Sequence, residues 1–178
     1  MSKRRRSNPM NKRVIIVGKG GSGKDHLRKS LAEMGYKYCV SHTSRPPRQG
    51  EEDGVDYFFV NIEDVSDPVF LEKNFYEWVT FNGWFYGTSI SEFKQSDLLI
   101  MTPSGVEKLR LEDRKDSHII YLDIPEEIRR QRLLSRRDAD HVERRLAADQ
   151  DDFSNFDDYD EQITDPFFNL QNLRFLKN

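Results

Sequence analysis

The chain has 178 residues, of which 36% are hydrophobic and 33% are charged, and its formal net charge is −3. This length suits one compact α/β domain with a buried core. No apolar run approaches the ~20 residues that a membrane helix needs, and no signal-peptide pattern opens the chain, so no membrane association is expected. The single cysteine, Cys39, excludes an internal disulfide, and we expect a cytoplasmic protein with Cys39 buried in a strand.

The start of the chain is basic, with Lys3, Arg4, Arg5 and Arg6 in a row. Such a cluster attracts the phosphates of nucleic acid. We expect residues 1–10 to form a disordered basic head, and nucleic-acid binding is expected nowhere else in the chain.

Apolar β-branched runs alternate with helical stretches from here on. Arg13–Val17 is typical of a buried parallel strand, and a helical stretch over His26–Met34 stops at Gly35. Later elements are predicted as strands at Tyr36–Val40, Leu98–Met101, His118–Leu122 and near Gln162–Thr164, and as helices opening at Pro125 and spanning Phe167–Leu176. This alternation predicts an α/β fold with a parallel sheet that is covered on both faces.

The turn between the first strand and the first helix reads G-K-G-G-S-G-K and fits the pattern G-x-x-x-x-G-K. Glycines allow backbone N–H groups to approach phosphate oxygens closely, the helix N-terminus adds a positive field, and Lys24 places a charge on the β- and γ-phosphates. The predicted ATP-binding residues are Gly18, Gly20, Gly21, Ser22, Gly23, Lys24 and Asp25.

Asp25 stands where a Ser or Thr hydroxyl normally contacts Mg²⁺. A carboxylate is also a hard oxygen ligand, but it adds negative charge beside a triphosphate unless a cation lies between them. We therefore predict that Asp25 is a metal ligand. The alternative is a simple acid in the first turn of a helix.

Residues 41–96 interrupt the alternation with aromatic-rich runs, and Asn82-Gly83 between two of these runs is a hairpin signal. This segment is predicted to be a small, mostly β subdomain. Within it, Arg45 and Arg48 lie three residues apart in a proline-stiffened turn, with Tyr57 downstream. Arginine forks grip two phosphate oxygens at once, so this turn predicts a clamp for a dianionic phosphate.

Glu77 precedes Thr88 across the predicted hairpin. A buried carboxylate can accept two N–H bonds from the edge of guanine. Adenine has neither the N1–H nor the 2-amino group, so it would leave Glu77 unpaired at a high cost in binding energy. The alternative for these residues is a charged surface turn beside an aromatic core.

Together these motifs resemble the guanylate kinase family over most of Arg13 to about Asp165. The resemblance implies a P-loop NTPase three-layer α/β fold with a central parallel sheet. The core would comprise 11–40 and 97–178, with an arginine-rich lid at about 132–149 and a GMP-binding subdomain at 41–96. It also implies transfer of the ATP γ-phosphate to GMP or dGMP with Mg²⁺ as cofactor. The GMP-binding residues that it implies are Ser41, Arg45, Arg48, Glu51, Tyr57, Glu77, Tyr86, Gly87 and Thr88.

The arginine-rich segment is similar to the lid of that family. By this resemblance Arg132, Arg136 and Arg145 act with Lys24 and Arg45 in catalysis, since cations must balance charge on the migrating phosphoryl group. The other arginines are predicted to line a solvated helix face and to pair with acids there. They are Arg129, Arg130, Arg137 and Arg144, with Glu126, Asp140 and Glu143 as partners.

One departure keeps other functions open. The stretch Leu99–Pro103 lacks two acids that guanylate kinases carry at the end of the third core strand, and we expect Asp25, or secondarily Asp123, to supply the missing charge. The alternatives are an enzyme like ribose 1,5-bisphosphate phosphokinase, a kinase for a modified deoxynucleotide, and a non-catalytic guanylate-kinase-like module that binds phosphoproteins. A monomer and a homodimer are both compatible with the sequence.

Overall fold

The structure is a computed structural model that describes residues 12–81, 83–135 and 142–177. The chain divides into two compact units. We call Met1–Tyr38 with Asp97–Asn178 the core unit, and Cys39–Ser96 the inserted unit.

The strands of the described residues are β1 (Arg13–Gly18), β2 (His42–Thr43), β3 (Phe58–Phe59), β4 (Phe75–Phe81), β5 (Trp84–Ser89), β6 (Leu98–Ile100), β7 (Ser117–Leu122) and β8 (Glu161–Ile163). The α-helices are α1 (Lys24–Glu33), α2 (Pro68–Asn74), α3 (Ile90–Gln95), α4 (Pro103–Glu107), α5 (Leu111–Lys115), α6 (Glu126–Leu134) and α7 (Val142–Phe153). Short 3₁₀ turns are formed by Ile62–Val65, Leu170–Asn172 and Arg174–Lys177.

The core unit is built on a parallel sheet with the strand order β6-β1-β7-β8. Every residue of β1 is buried, as expected for a central strand with both faces covered. Val14 pairs with Leu98 on one side and with His118 on the other, so β1 lies in the middle of the sheet. The predicted α/β fold with a parallel sheet is confirmed.

Two predicted elements of the core unit are wrong. Tyr36–Val40 is not a strand, and only Tyr38 makes a single parallel bridge, to Leu98. The carboxylate of Asp97 accepts a hydrogen bond of 2.5 Å from the N–H of Lys37, and the N–H groups of Asp97 and Leu98 both donate to the carbonyl of Lys37. These bonds occupy the N–H and the carbonyl of Lys37, which a longer strand ladder would need.

The predicted closing helix over 167–176 is also absent, and two 3₁₀ turns stand in its place. The buried carboxylate of Glu161 accepts a hydrogen bond of 2.7 Å from the N–H of Arg174 and one of 3.4 Å from the N–H of Phe175. Backbone donors that bind a side chain on β8 cannot continue a helical ladder, so this segment docks on the sheet as turns.

The inserted unit contains the second sheet, with the order β3-β2-β5-β4. β4 and β5 form an antiparallel hairpin in which Phe81 pairs with Trp84. Gly83 has a φ of 79°, the left-handed conformation that tight hairpin turns require. The apolar core of the inserted unit contains Val65, Leu71, Phe75 and Phe85.

Candidate active site

The glycine-rich turn between β1 and α1 folds around the side chain of Lys24. The Nζ of Lys24 donates to the carbonyl of Gly18 at 2.5 Å and to the carbonyl of Lys19 at 3.1 Å. Gly21 and Gly23 have φ values of 76° and 100°, which side chains rarely tolerate. The turn is therefore a closed loop with a cation at its base, and we call residues 18–24 the phosphate loop.

Ser22, at the base of this loop, turns its side chain inward. Ser22 is fully buried, and within the described residues its Oγ has no hydrogen-bond partner. A Cβ built on Gly18 would lie 2.6 Å from this Oγ, so a side chain at position 18 would displace the hydroxyl.

Two residues that were not among the predicted site residues hold the apex of the phosphate loop. The N–H of Gly20 donates to Asp149 Oδ2 at 2.8 Å, and Arg129 Nη1 donates to the carbonyl of Gly20 at 3.3 Å. Arg129 Nη1 also lies 3.5 Å from Asp149 Oδ2. Arg129 is only 3% exposed, so its prediction on a solvated helix face is wrong. Arg130 does lie there and pairs with Glu126 and Glu143.

Burial raises the pKa of Asp149 above its usual value, while the Gly20 N–H and the charges of Lys24, Arg129 and Lys19 act in the opposite direction. The carboxylate is thus surrounded by cations of the phosphate loop and of α6. A group in this environment is typical of functional sites.

Of the three arginines predicted in the lid, two lie among the described residues, in different environments. Arg132 Nη1 donates to the carbonyl of Gly21 at 3.1 Å, and its Nη2 donates to the carbonyl of Pro166 at 2.6 Å. Arg145 is half-buried on α7, and Arg136 lies outside the described residues. Arg132 thus touches the phosphate loop directly.

Asp25 lies in the first turn of α1, next to the phosphate loop. Its side chain is 74% exposed and lies 3.5 Å from Arg28 Nε. Within 12–81, 83–135 and 142–177, no three His, Cys, Asp or Glu side chains gather into a metal-binding group. Asp25 is thus an exposed carboxylate beside the phosphate loop.

The strand ends beside the phosphate loop carry one acid and one hydroxyl. Asp123, just after β7, accepts from the Tyr121 hydroxyl at 3.1 Å and from Gln162 Nε2 at 2.9 Å, and it lies 3.9 Å from Lys19 Nζ. After β6, Thr102 caps α4 by accepting from the N–H of Gly105 at 3.1 Å. A helix cap therefore occupies the region where the sequence lacks two acids.

The inserted unit gathers the residues of the predicted phosphate clamp. Arg45 Nη2 contacts both carboxylate oxygens of Glu51, at 2.9 and 3.0 Å, and Arg45 Nη1 donates to the carbonyl of Pro46 at 2.7 Å. The N–H of Arg48 donates to the same carboxylate at 2.7 Å. Glu51 thus fixes the plane of one guanidinium and the backbone that carries the other.

Aromatic rings border this clamp. The guanidinium of Arg45 lies 5.4 Å from the ring centroid of Tyr57, within cation–π range. The rings of Tyr57 and Tyr86 meet edge to face at 6.3 Å. Four predicted residues, Arg45, Glu51, Tyr57 and Tyr86, therefore form one contiguous group.

The predicted base-reading residues lie on the neighbouring hairpin. Glu77 and Thr88 are register partners on β4 and β5, and Thr88 Oγ1 donates to Glu77 Oε1 at 2.6 Å. Ser41 is half-buried just before β2. Gly87 has a packing reason to be glycine, since a Cβ there would lie 2.7 Å from Phe85 and 2.8 Å from Phe75.

A protein-family model described as Guanylate kinase matches residues 10–170. The chain belongs to the guanylate kinase family. The guanylate kinase of Legionella pneumophila (strain Paris) is 32% identical over 169 residues, which cover 86% of this chain and 78% of that protein. A crystal structure of guanylate kinase from Anaplasma phagocytophilum is similar with a TM-score of 0.66 and 26% identity, covering 86% of this chain and 77% of the other.

The guanylate kinase of Schizosaccharomyces pombe (strain 972 / ATCC 24843) has the higher identity, 46%, but over 87 residues only. These residues are 47% of this chain, and they span less than half, 43%, of that relative. The guanylate kinase family and the P-loop α/β fold predicted from the motifs are confirmed. No helix among the described residues is long and apolar enough to cross a membrane.

Proposed function

We propose that this member of the guanylate kinase family transfers the γ-phosphate of ATP to GMP or dGMP and releases ADP with GDP or dGDP. The observation that carries the choice of acceptor is the buried Glu77–Thr88 pair. The comparisons also favour this reaction over the ribose 1,5-bisphosphate, modified-deoxynucleotide and phosphoprotein-binding alternatives, since the relatives reported above are called guanylate kinases.

The phosphate loop is the donor site of this proposal. The backbone of Gly18, Gly20, Gly21, Ser22 and Gly23, together with the N-terminus of α1, would surround the phosphates of ATP. Lys24 would then leave the loop carbonyls for the β- and γ-phosphates. These fixed dipoles and charges act on the charge that spreads over the migrating phosphoryl group.

The clamp of the inserted unit is the proposed site for the phosphate of GMP. A guanidinium has five N–H donors, and the bonds of Arg45 to Glu51 and Pro46 leave donors for phosphate oxygens. Arg48, Tyr57 and Tyr86 complete the group in this proposal. Glu51 acts as a positioning residue, because it holds the guanidinium plane rather than the ligand.

The guanine base would bind at Glu77, with Ser41, Gly87 and Thr88 around it. Thr88 donates to one carboxylate oxygen of Glu77, which fixes the orientation of the carboxylate. In this proposal the carboxylate would accept from the N1–H and 2-amino donors of guanine. Adenine has neither of these donors and would not make the two bonds to the buried carboxylate, which is the physical basis of the proposed selection.

Mg²⁺ is the proposed cofactor, and Asp25 would hold it. Mg²⁺ in nucleotide sites uses one or two carboxylates together with substrate phosphates, so one exposed carboxylate beside the phosphate loop fits the ion. When bound, Mg²⁺ supplies charge neutralisation at the phosphates. Arg132, Arg136 and Arg145 would add positive charge around the same groups.

We propose residues 11–40 and 97–178 as the core with a lid at about 132–149, and residues 41–96 as the GMP-binding subdomain. ATP and GMP or dGMP are the partners, in a cytoplasmic monomer or homodimer. The basic head at 1–10 lies outside the described residues, and it is the one segment proposed for nucleic-acid contact.

The decisive experiment measures ADP release from ATP and Mg²⁺ with GMP, dGMP, AMP, dTMP, dCMP and ribose 1,5-bisphosphate in separate reactions. We expect turnover with GMP or dGMP, and loss of that turnover in a Lys24→Met variant. Turnover of dTMP without dGMP would rule out the proposed guanine site. An Asp25→Ser variant with an unaltered Mg²⁺ dependence would remove Asp25 from the metal site and leave the reaction itself in place.

A further inference from the structure

We propose that Asp149 is a positioning residue of the phosphate loop, whose carboxylate holds the backbone of Gly20 in the conformation that binds the phosphates of ATP. This inference rests on the proposed function, because it concerns the donor site of that reaction. Asp149 lies on α7, far along the chain from the loop.

The contacts form a closed triangle around one glycine. Asp149 accepts from the N–H of Gly20 at 2.8 Å, Arg129 donates to the carbonyl of Gly20 at 3.3 Å, and Arg129 lies 3.5 Å from the carboxylate. Asp149 is 6% exposed and Arg129 is 3% exposed. A carboxylate and a guanidinium buried together thus hold the two peptide groups on either side of the Gly20 Cα.

The phosphate loop needs such a support because its apex is Gly20-Gly21. Glycine samples more backbone conformations than any other residue, and neither residue has a side chain that could pack against a neighbour. A hydrogen bond to an ionised carboxylate is roughly twice as strong as one between neutral groups. The bond from Asp149 therefore limits the conformations of the apex before the nucleotide arrives, which lowers the entropy lost on binding.

The absence of a side chain at position 20 is what admits the carboxylate. A Cβ built on Gly20 would lie 3.1 Å from Asp149 Oδ2, closer than ordinary van der Waals contact. Close approach of phosphate is the usual reason for glycine in such loops. At Gly20 the structure adds a second reason, the approach of Asp149 from the protein side.

A negative charge beside a triphosphate site could also act against binding, as an internal competitor for the Gly20 N–H. Burial raises the pKa of Asp149, but the charges of Lys24, Arg129 and Lys19 act in the opposite direction and favour the ionised carboxylate. The two roles give opposite results. Removing a positioning residue weakens nucleotide binding, whereas removing a competitor strengthens it.

The test compares ADP and ATP binding by calorimetry in the full-length wild type and in D149N, D149A and D151N. D149N keeps an oxygen acceptor for Gly20 without the charge, and D149A removes the acceptor. We expect the Kd for ADP to rise about threefold in D149N and about tenfold in D149A, where tenfold corresponds to ~1.4 kcal/mol. D151N removes a charge from an exposed position on the same helix, and its Kd should match that of the wild type.

Steady-state kinetics add the readout that separates positioning from general damage. The KM for ATP should rise in the order D149N, then D149A, while the KM for GMP stays within about twofold, as expected when only donor-side binding is lost. If D149A does not fold, because Arg129 is then buried without an acceptor at position 149, D149N decides, since its amide oxygen can still accept from Arg129 and Gly20.

Unchanged or tighter nucleotide binding in D149N and D149A would overturn the inference, as would an equal loss in D151N. The proposed function can fail separately. If the wild type does not phosphorylate GMP but ADP binding weakens in the Asp149 variants only, then the role of Asp149 stands and the assignment of the acceptor does not.

Discussion

The hydroxyl of Thr88 donates a hydrogen bond of 2.6 Å to the carboxylate of Glu77, although the two residues are only 2% and 7% exposed. They face each other across the β4–β5 hairpin, whose other inward side chains are largely aromatic. A buried carboxylate requires partners of this kind, since desolvation of an unpaired charge is expensive. The hairpin therefore presents a carboxylate whose orientation is set before any ligand binds.

Substituting Glu77 tests the selection of the base. We expect Glu77→Gln to lower kcat/KM for GMP by roughly 10- to 100-fold, since one amide N–H would then face the donors of guanine. The KM for ATP should remain unchanged. Coupled ADP-release assays with GMP and AMP measure both values, and an undiminished preference for GMP would contradict the role of Glu77.

Thr88→Val should lower kcat/KM for GMP by a smaller factor, about fivefold, because it removes one hydrogen bond to the carboxylate but keeps the carboxylate itself. Thr80→Val is the matched control, since Thr80 is exposed on the same hairpin. An equal loss in both variants would indicate a general weakening of the sheet rather than loss of the Thr88 bond.

Arg45 should not be replaceable by lysine. Arg45→Lys keeps the charge but loses the planar fork that contacts both oxygens of Glu51, so we expect the KM for GMP to rise about tenfold or more. Initial-rate measurements over a GMP series at saturating ATP give this value. Arg174→Lys, at an exposed arginine of the core unit, should leave the KM unchanged.

Two glycines with positive φ should differ sharply in their tolerance of alanine. Gly35→Ala meets no atom within 4 Å and should cost about 1–2 kcal/mol, the penalty of the left-handed conformation. Gly21→Ala places a Cβ 2.7 Å from the carbonyl oxygen of Arg129, which should add another ~1–3 kcal/mol. Urea unfolding of both variants measures the difference, and equal free energies of unfolding would contradict the contact with Arg129.

Acidification should destabilise the protein partly through His42. Burial lowers the pKa of His42 below its ordinary 6.5, against the opposing charges of Glu92 and Asp53. The unfolded chain therefore takes up this proton at higher pH than the folded one. The contribution of His42 is present above pH 6.5 and is lost as the pH falls through the folded pKa.

The measurement is the free energy of unfolding between about pH 5 and pH 8. Because His42 takes up one proton, its contribution to the slope of unfolding free energy against pH is at most about 1.4 kcal/mol per pH unit. His42→Phe should flatten the slope, because phenylalanine does not titrate. The variant should still fold, since a phenylalanine ring can also pack between Phe58 and Phe75. An unaltered slope in His42→Phe would contradict the role of His42.

The parts of the fold that were predictable are those that local residue chemistry dictates. The glycine pattern of the phosphate loop, the continuous apolar run of β1 and the glycine turn of the hairpin each allow few conformations. The turn after β8 was not predictable in this way. The backbone N–H groups of this segment donate to the side chain of Glu161 on β8. The residues of the segment itself contain no pattern that predicts such a contact.

Arg129 and Asp149 escaped prediction because charged residues are placed by default on the surface. Helical spacing contained a signal nevertheless. Arg129 lies four residues before the buried Leu133, and Asp149 continues the buried stripe of Val142 and Leu146. A charge on the apolar side of each of two helices is expected to be paired, and here the two charges pair with each other.

The β4–β5 hairpin has a further consequence for spectroscopy. The chain has two tryptophans, Trp78 and Trp84, and the hairpin contains both of them. The core unit contributes tyrosines but no indole. Indole emission from this protein therefore originates in the inserted unit alone, so the state of that unit can be followed by fluorescence without any attached dye.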